Sequence, residues 1–143
     1  MSIWFEQPDI AALNRLHEAT AVAALGIRIT AAGEDSLSGT MPVDQRTRQP
    51  LGLLHGGASV ALAETLGSAA AMCCVDQKAF YCVGLEINAN HVRGVRDGIV
   101  TGVARPIHLG RTSQVWGIEI RGEDGRLACI ARLTAAVVAI VAK

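Results

Sequence analysis

The sequence has few aromatic residues and no long hydrophobic run. Only five of its 143 residues are aromatic, although half of all residues are hydrophobic, so small side chains must fill much of the core. The longest uninterrupted apolar run, Ala135 to Ala142, has eight residues. A membrane-spanning helix needs about 18 or more. We therefore expect one close-packed domain, residues 1–143, with no membrane partner.

The chain also lacks an excess of charge and a metal-binding cysteine pattern. Thirteen Lys and Arg balance thirteen Asp and Glu, so nothing favours a nucleic-acid partner. The four cysteines show no C-x-x-C spacing, and we interpret them as small buried apolar residues. We expect no metal and no cofactor. The acidic N-terminal stretch "MSIWFEQPD" is unlike a signal peptide, which favours a cytoplasmic location.

The hydrophobic pattern predicts a helix, two strands, a second helix and four further strands. Asp9 is the expected N-cap of the first helix, which we place over residues 9–24. The two strands form a hairpin, and the later four form an antiparallel meander with tight turns at Asp97-Gly98 and Asp124-Gly125. These segments are 25–30, 36–43, 55–74 (the second helix), 79–94, 98–109, 112–122 and 126–141.

The second helix lacks a wide polar face, so we expect it to be buried against one curved sheet in an α+β domain. One carboxylate, Glu64, interrupts this apolar helix. Burying a charge costs several kcal/mol unless the charge is paired or hydrogen-bonded. Glu64 is therefore either a structural carboxylate with a partner or a catalytic one.

Several polar groups accompany Glu64. At about 100° per residue, Gly57, Glu64 and Ser68 fall on one stripe of the helix. The helix opens with His55-Gly56-Gly57, where free N–H groups favour an oxyanion, and Gln49 adds an amide in the preceding loop. A carboxylate, an oxyanion hole, an amide and a hydroxyl are the parts that hydrolytic acyl transfer requires.

Two segments together resemble a known family. They are "LLHGGASVALAETLGS", in which a glutamate stands eight residues after the first glycine, and "VGLEINANHVRG" downstream. Both resemble the hotdog-fold acyl-CoA thioesterases of the phenylacetate-pathway and 4-hydroxybenzoyl-CoA thioesterase type. The resemblance implies a curved antiparallel sheet wrapped around a long buried central helix, and hydrolysis of acyl-CoA thioesters, with aromatic acyl groups expected.

The resemblance also implies roles for individual residues. Glu64 would be the catalytic carboxylate and Gly56 the backbone donor to the thioester oxygen. Gln49 and His55 would help to hold the thioester, and Ser68 would position water or Glu64. The expected substrate-binding residues are His91 in the acyl pocket, Arg93 for the coenzyme A phosphates, Gly57, Leu54 and Val83. The family builds its site across a dimer two-fold, so we expect a homo-oligomer built from hotdog dimers, with a homotetramer as the family expectation.

The residues leave several alternatives open. Glu64 could attack the carbonyl directly or activate water as a general base. A dehydratase or hydratase on the same fold would use His55 as its principal base. The acyl donor could be an acyl carrier protein instead of coenzyme A. The chain could also be a non-catalytic acyl-CoA-binding module.

Overall fold

The structure, a computed structural model, describes residues 1–142. Two short helices come first, α1 (Ile10–Leu16) and α2 (Ala21–Ala24), followed by the long helix α3 (Gly56–Cys73). The strands are β1 (Arg28–Ala32), β2 (Leu37–Pro42), β3 (Phe80–His91), β4 (Ile99–Leu109), β5 (Ser113–Arg121) and β6 (Leu127–Ala139). Apart from α1 and α2, every predicted element is present within a few residues of its expected bounds.

All six strands form one antiparallel sheet in the order β1-β2-β4-β5-β6-β3. The expected four-strand meander is wrong for β3, which pairs with β6 and not with its neighbour in sequence, β4. Because β2 and β5 occupy both sides of β4, no edge of β4 is left for β3. Asp97-Gly98 therefore ends a crossover connection instead of a hairpin, and the Gly98 carbonyl accepts a hydrogen bond from the Val43 N–H.

Helix α3 lies against the concave face of the sheet, as the resemblance predicts. Its side chains Leu62 and Leu66 are fully buried. Sheet glycines allow this close approach: a Cβ atom on Gly39 or Gly102 would lie within 2.8 Å of a Leu66 methyl carbon. The small-residue core is therefore confirmed, and glycine at these strand positions lets the helix backbone approach the sheet closely.

The predicted first helix is wrong as a single element. Asp9 caps α1 as expected, because its side chain accepts a hydrogen bond from the Ala12 N–H. The chain then turns at Ala19, which has a positive φ of 57°. Thr20 caps α2 by accepting from the Val22 N–H. This break lets Val22 and neighbouring residues pack against the core, an arrangement that helical periodicity alone does not reveal.

The described chain contains no helix that is both long enough and apolar enough to cross a membrane.

Candidate active site

The loop before α3 is fixed by local hydrogen bonds. Thr47 is 2% exposed, and its carbonyl accepts a hydrogen bond of 2.7 Å from the His55 N–H. Arg46 donates to the Asp44 carboxylate, and these hydrogen bonds lower the pKa of Asp44 to about 2. The loop therefore delivers Gln49 to the start of α3 in a defined position.

His55 is the N-cap of α3. Its Nδ1 accepts a hydrogen bond of 2.8 Å from the Gly57 N–H, so that donor is already occupied. Within residues 1–142, the Gly56 N–H has no hydrogen-bond partner. The free donor at the positive end of the helix dipole is therefore Gly56, the residue expected to hold the thioester oxygen.

Several of the predicted site residues surround this free N–H in a cavity of about 280 Å³, which we call the Gly56 cavity. His91 lies so close that a Cβ atom on Gly56 would be 2.9 Å from its Nε2, which explains the need for glycine there. The cavity is lined by Gln49, Leu53, Leu54, Gly56, Ser59, His91, Arg93, Gly94 and Ala128.

The Gln49 side chain is oriented by its own loop. Its Oε1 accepts a hydrogen bond from the Leu51 N–H, and its backbone N–H donates to the Leu53 carbonyl at 2.8 Å. The side-chain amide nitrogen has no acceptor among the residues that the structure describes. Gln49 therefore offers a second N–H donor to a ligand in the Gly56 cavity.

Glu64 opens into a different cavity, of about 380 Å³, which we call the Glu64 cavity. Its Oε1 touches the backbone of Gly84 on β3, so closely that a Cβ atom there would collide with it. Across residues 1–142, the Glu64 carboxylate makes neither an ion pair nor a hydrogen bond. The cavity is lined by Ala21, Val22, Leu25, Ile27, Gly57, Val60, Ala61, Glu64 and Thr65.

The predicted site is thus divided within one subunit. Gly56 and Glu64 are eight residues apart, which is about 12 Å along the helix axis. Of the expected helix stripe, Gly57 and Glu64 share the Glu64 cavity, whereas Ser68 lines neither cavity. Val83 also lines neither cavity and is 42% exposed on β3. A single chain therefore does not present the Gly56 N–H and the Glu64 carboxylate to the same cavity.

Basic residues extend from the Gly56 cavity. A third cavity, of about 280 Å³, shares Arg93 and Gly94 with it and adds Arg96 and Arg126, together with the acidic residues Asp97, Glu123 and Asp124. Arg126 is paired with Asp124 at 3.9 Å, and Arg105, which pairs with Asp35 at 2.6 Å, does not line this cavity. Sequence reasoning named Arg93 but missed Arg126, because only the fold brings the start of β6 next to the segment after β3.

The cysteines take no part in either cavity. Cys73 and Cys129 are buried, Cys74 and Cys82 are half-buried, and all four are free thiols. Burial raises the pKa of Cys73 to about 11 and that of Cys74 to about 12, which keeps these thiols protonated at neutral pH. Among the described residues, no group of three or more His, Cys, Asp or Glu could hold a metal ion.

Comparisons with known proteins identify the family of the chain. A sequence model described as the thioesterase superfamily matches residues 51–129. The chain is 55% identical over 137 residues to the 1,4-dihydroxy-2-naphthoyl-CoA hydrolase of Escherichia coli, covering 94% of this chain and 98% of that protein. It is 52% identical over 136 residues to the proofreading thioesterase EntH of Cronobacter turicensis, with coverage of 94% and 98%.

A solved structure is similar over nearly the whole chain. The crystal structure of a mutant thioesterase from Pseudomonas aeruginosa superposes with a TM-score of 0.96 at 57% identity. The match covers 97% of this chain and all of that one. The sheet and the long central helix are therefore those of a solved thioesterase.

Proposed function

This chain belongs to the thioesterase superfamily and adopts its hotdog fold, and from that premise we propose that it hydrolyses hydroxyaryl-CoA thioesters with Glu64 as the catalytic carboxylate. Water is added to the thioester, which releases a free aromatic acid and the thiol of coenzyme A. The observation that carries the proposal is the Glu64 carboxylate, which is half-buried beside a cavity and unpaired among the described residues.

The oxyanion is stabilised at the start of α3. The Gly56 N–H and the Gln49 amide are two donors that face one cavity, and both are free for a ligand. As the carbonyl becomes tetrahedral, its oxygen gains negative charge, so these fixed donors bind the transition state more strongly than the substrate. The arginines of the adjoining cavity, Arg93 and Arg96, bind the coenzyme A phosphates.

Glu64 acts from a second copy of the chain. Because Gly56 and Glu64 open into different cavities of one subunit, the site needs a partner subunit that places its carboxylate opposite the donors. Strand β3 is an edge of the sheet and carries exposed apolar side chains, among them Tyr81 and Leu85. An edge with unpaired backbone groups and apolar side chains favours pairing with another strand, here the same strand of the second copy.

Glu64 has two chemical routes. It can attack the carbonyl and form a mixed anhydride, or it can remove a proton from the attacking water. A single turnover in oxygen-18 water distinguishes them. Label in Glu64 identifies an anhydride that water opens at the enzyme carbonyl, whereas label in the acid alone excludes that route and leaves attack of water at the acyl carbon.

The substrate preference follows from small and apolar cavity linings. Leu53, Leu54 and Ala128 line the Gly56 cavity, and Val60 and Ala61 line the Glu64 cavity. A planar ring fills such space better than an acetyl group, and His91 offers a polar contact to a ring hydroxyl. The name of the Escherichia coli relative, a hydroxynaphthoyl-CoA hydrolase, supports the same class.

Release of the coenzyme A thiol from a panel of thioesters tests the proposal. We expect kcat/KM for benzoyl-CoA or hydroxynaphthoyl-CoA to exceed that for acetyl-CoA by about tenfold or more, because a filled pocket binds the transition state better. Glu64→Gln should lower kcat by about a hundredfold or more. The matched control is Glu34→Gln, which removes an exposed carboxylate in the turn between β1 and β2, away from both cavities and from β3. Equal activity of the two variants would contradict the role of Glu64.

A second candidate is hydrolysis of acyl groups from a carrier protein. The proofreading thioesterase EntH at 52% identity is the observation that favours it. Comparing kcat/KM for the same aroyl group on coenzyme A and on an aryl carrier protein separates the two donors.

A hydratase would need His55 as its principal base. This role is disfavoured, because His55 Nδ1 already accepts the hydrogen bond from the Gly57 N–H as the helix cap. Membership of a thioesterase family disfavours a non-catalytic module.

A further inference from the structure

Ser59 is a buried hydroxyl that the proposed mechanism does not use. It lies in the first turns of α3, is 3% exposed and lines the Gly56 cavity together with Gly56 and His91. Its backbone N–H donates to the His55 carbonyl, but its hydroxyl has no hydrogen-bond partner among residues 1–142. Because no described group pairs with this hydroxyl, it is available to a ligand in the Gly56 cavity.

The hydroxyl is not sealed inside the protein. Over the described residues, the one fully enclosed side-chain polar atom without a hydrogen-bond partner is His17 Nδ1. The Ser59 hydroxyl therefore retains access to the cavity that its residue lines. In contrast, the nearby hydroxyl of Thr65 on the same helix bonds to the Ala61 carbonyl at 2.7 Å and needs no ligand.

Helix geometry relates Ser59 to the oxyanion donor. Ser59 follows Gly56 by three residues, so it lies about 4.5 Å farther along the axis and about 60° around it. Helical side chains tilt toward the N-terminus, which brings the hydroxyl back toward the Gly56 N–H. With the thioester oxygen on the Gly56 N–H, the substrate atoms nearest Ser59 would be those next to that carbonyl, and a hydroxyl there could form a hydrogen bond of about 2.8 Å with the serine hydroxyl.

We infer that Ser59 binds a hydroxyl group on the ring carbon next to the thioester-bearing carbon, and so selects ortho-hydroxylated aroyl-CoA substrates. The inference rests on the proposed function, because it assumes an aryl thioester held by Gly56. An ortho hydroxyl lies beside the carbonyl oxygen, whereas a para hydroxyl lies at the far end of the ring. A serine hydroxyl both donates and accepts, so it pairs with a phenol in either direction.

The test compares Ser59→Ala with the wild-type protein on three substrates: benzoyl-CoA, 2-hydroxybenzoyl-CoA and 4-hydroxybenzoyl-CoA. The ratio of mutant to wild-type kcat/KM is taken for each, because this ratio cancels the different intrinsic reactivities of the thioesters. We expect a loss of about tenfold with the 2-hydroxy substrate and less than about twofold with the other two. Alanine is a good helix former, so the variant should fold, which thermal unfolding verifies.

Ser38→Ala is the matched control, since Ser38 lies on β2 and lines neither cavity. It should leave all three ratios near one. An equal loss on all three substrates with Ser59→Ala would overturn the inference, because Ser59 would then act on the thioester or the fold. No loss on any would overturn it as well. A wild-type protein inactive on all three would refute the proposed function instead.

Discussion

The contact between Glu64 and Gly84 determines where the Glu64 carboxylate can point. The carboxylate lies against the β3 backbone at a position where strand pairing with β6 is irregular, between Gly84 and Glu86. Any side chain on residue 84 would occupy the space of the carboxylate. Residue 84 therefore has to be glycine for the Glu64 carboxylate to occupy this position, apart from any requirement of the strand itself.

This contact gives a prediction for Gly84→Ala. The added methyl group should displace the Glu64 side chain and lower kcat by about tenfold or more, because a misplaced catalytic group loses its alignment with the substrate. The measurement is kcat with an aroyl-CoA substrate, together with the midpoint of thermal unfolding.

The control for this variant is Gly117→Ala on β5, where the nearest atom to a new Cβ would be the Ile107 Cδ1 at 3.3 Å. That atom ends a flexible side chain and can move aside. If Gly84→Ala retained full kcat, the Glu64 carboxylate would not depend on this glycine for its position.

The sequence could predict some of these residues but not others. Glu64 and Gly56 were predictable, because an isolated carboxylate in an apolar helix and glycines at a helix start are local features with a chemical cost or benefit. Gly84 and Ser59 were not. Gly84 is important because the Glu64 carboxylate packs against it, and Ser59 because its hydroxyl has no hydrogen-bond partner among the described residues. Both features are decided by tertiary structure.

Helix α3 begins directly after its N-cap residue, His55. His55 has extended backbone angles, φ −67° and ψ 131°, and its imidazole takes the Gly57 N–H. This role is structural, whereas the family resemblance assigns His55 to the thioester. The two roles can be separated by substitutions that keep the cap.

We predict that His55→Ala lowers the free energy of unfolding by about 1 kcal/mol, because the Gly57 N–H loses its acceptor. His55→Asn should restore most of that stability, since asparagine is a good N-cap. If the imidazole also holds the thioester, kcat/KM should stay low in both variants. Denaturant unfolding measures the first effect. Equal destabilisation by Ala and Asn would show that the side chain is not a cap.

Elements differ in how well the sequence predicts them. The expected bounds of α3, residues 55–74, include both of its caps, because its composition and its opening glycines act locally. The predictions of a single first helix and of a hairpin between β3 and β4 were wrong for the same reason. Local signals show where the chain bends, whereas packing of Val22 on the core and competition for the edges of β4 are long-range effects.

At the level of the whole molecule, the central claim is that the active site joins two subunits. A single chain holds the oxyanion donors and the carboxylate in separate cavities, about 12 Å apart along one helix. The family resemblance implies a site across a dimer two-fold, but the spacing of the residues alone does not show this division, because Gly56 and Glu64 are close neighbours in the same motif. The division follows only from the direction each faces when the helix is packed on its sheet.

Two inactive variants can test this claim together. Glu64→Gln removes the carboxylate, and Gly56→Pro removes the backbone N–H at the first helical position, where the helix backbone accepts proline. The proline ring also displaces the nearby His91, but only in the chain that lacks the Gly56 N–H. His55 already has the extended conformation that a following proline requires. Each variant alone should form dimers with little activity.

The most direct measurement is the activity of a mixed dimer, made by coexpressing the two variants with different affinity tags and purifying on both. If the site is shared, one of the two sites combines an intact Gly56 with the partner's intact carboxylate. We then predict about half of the wild-type kcat per dimer, since one site of two is complete. A mixed dimer as inactive as either parent, although correctly folded and assembled, would contradict the account, because donor and carboxylate would then have to come from the same subunit.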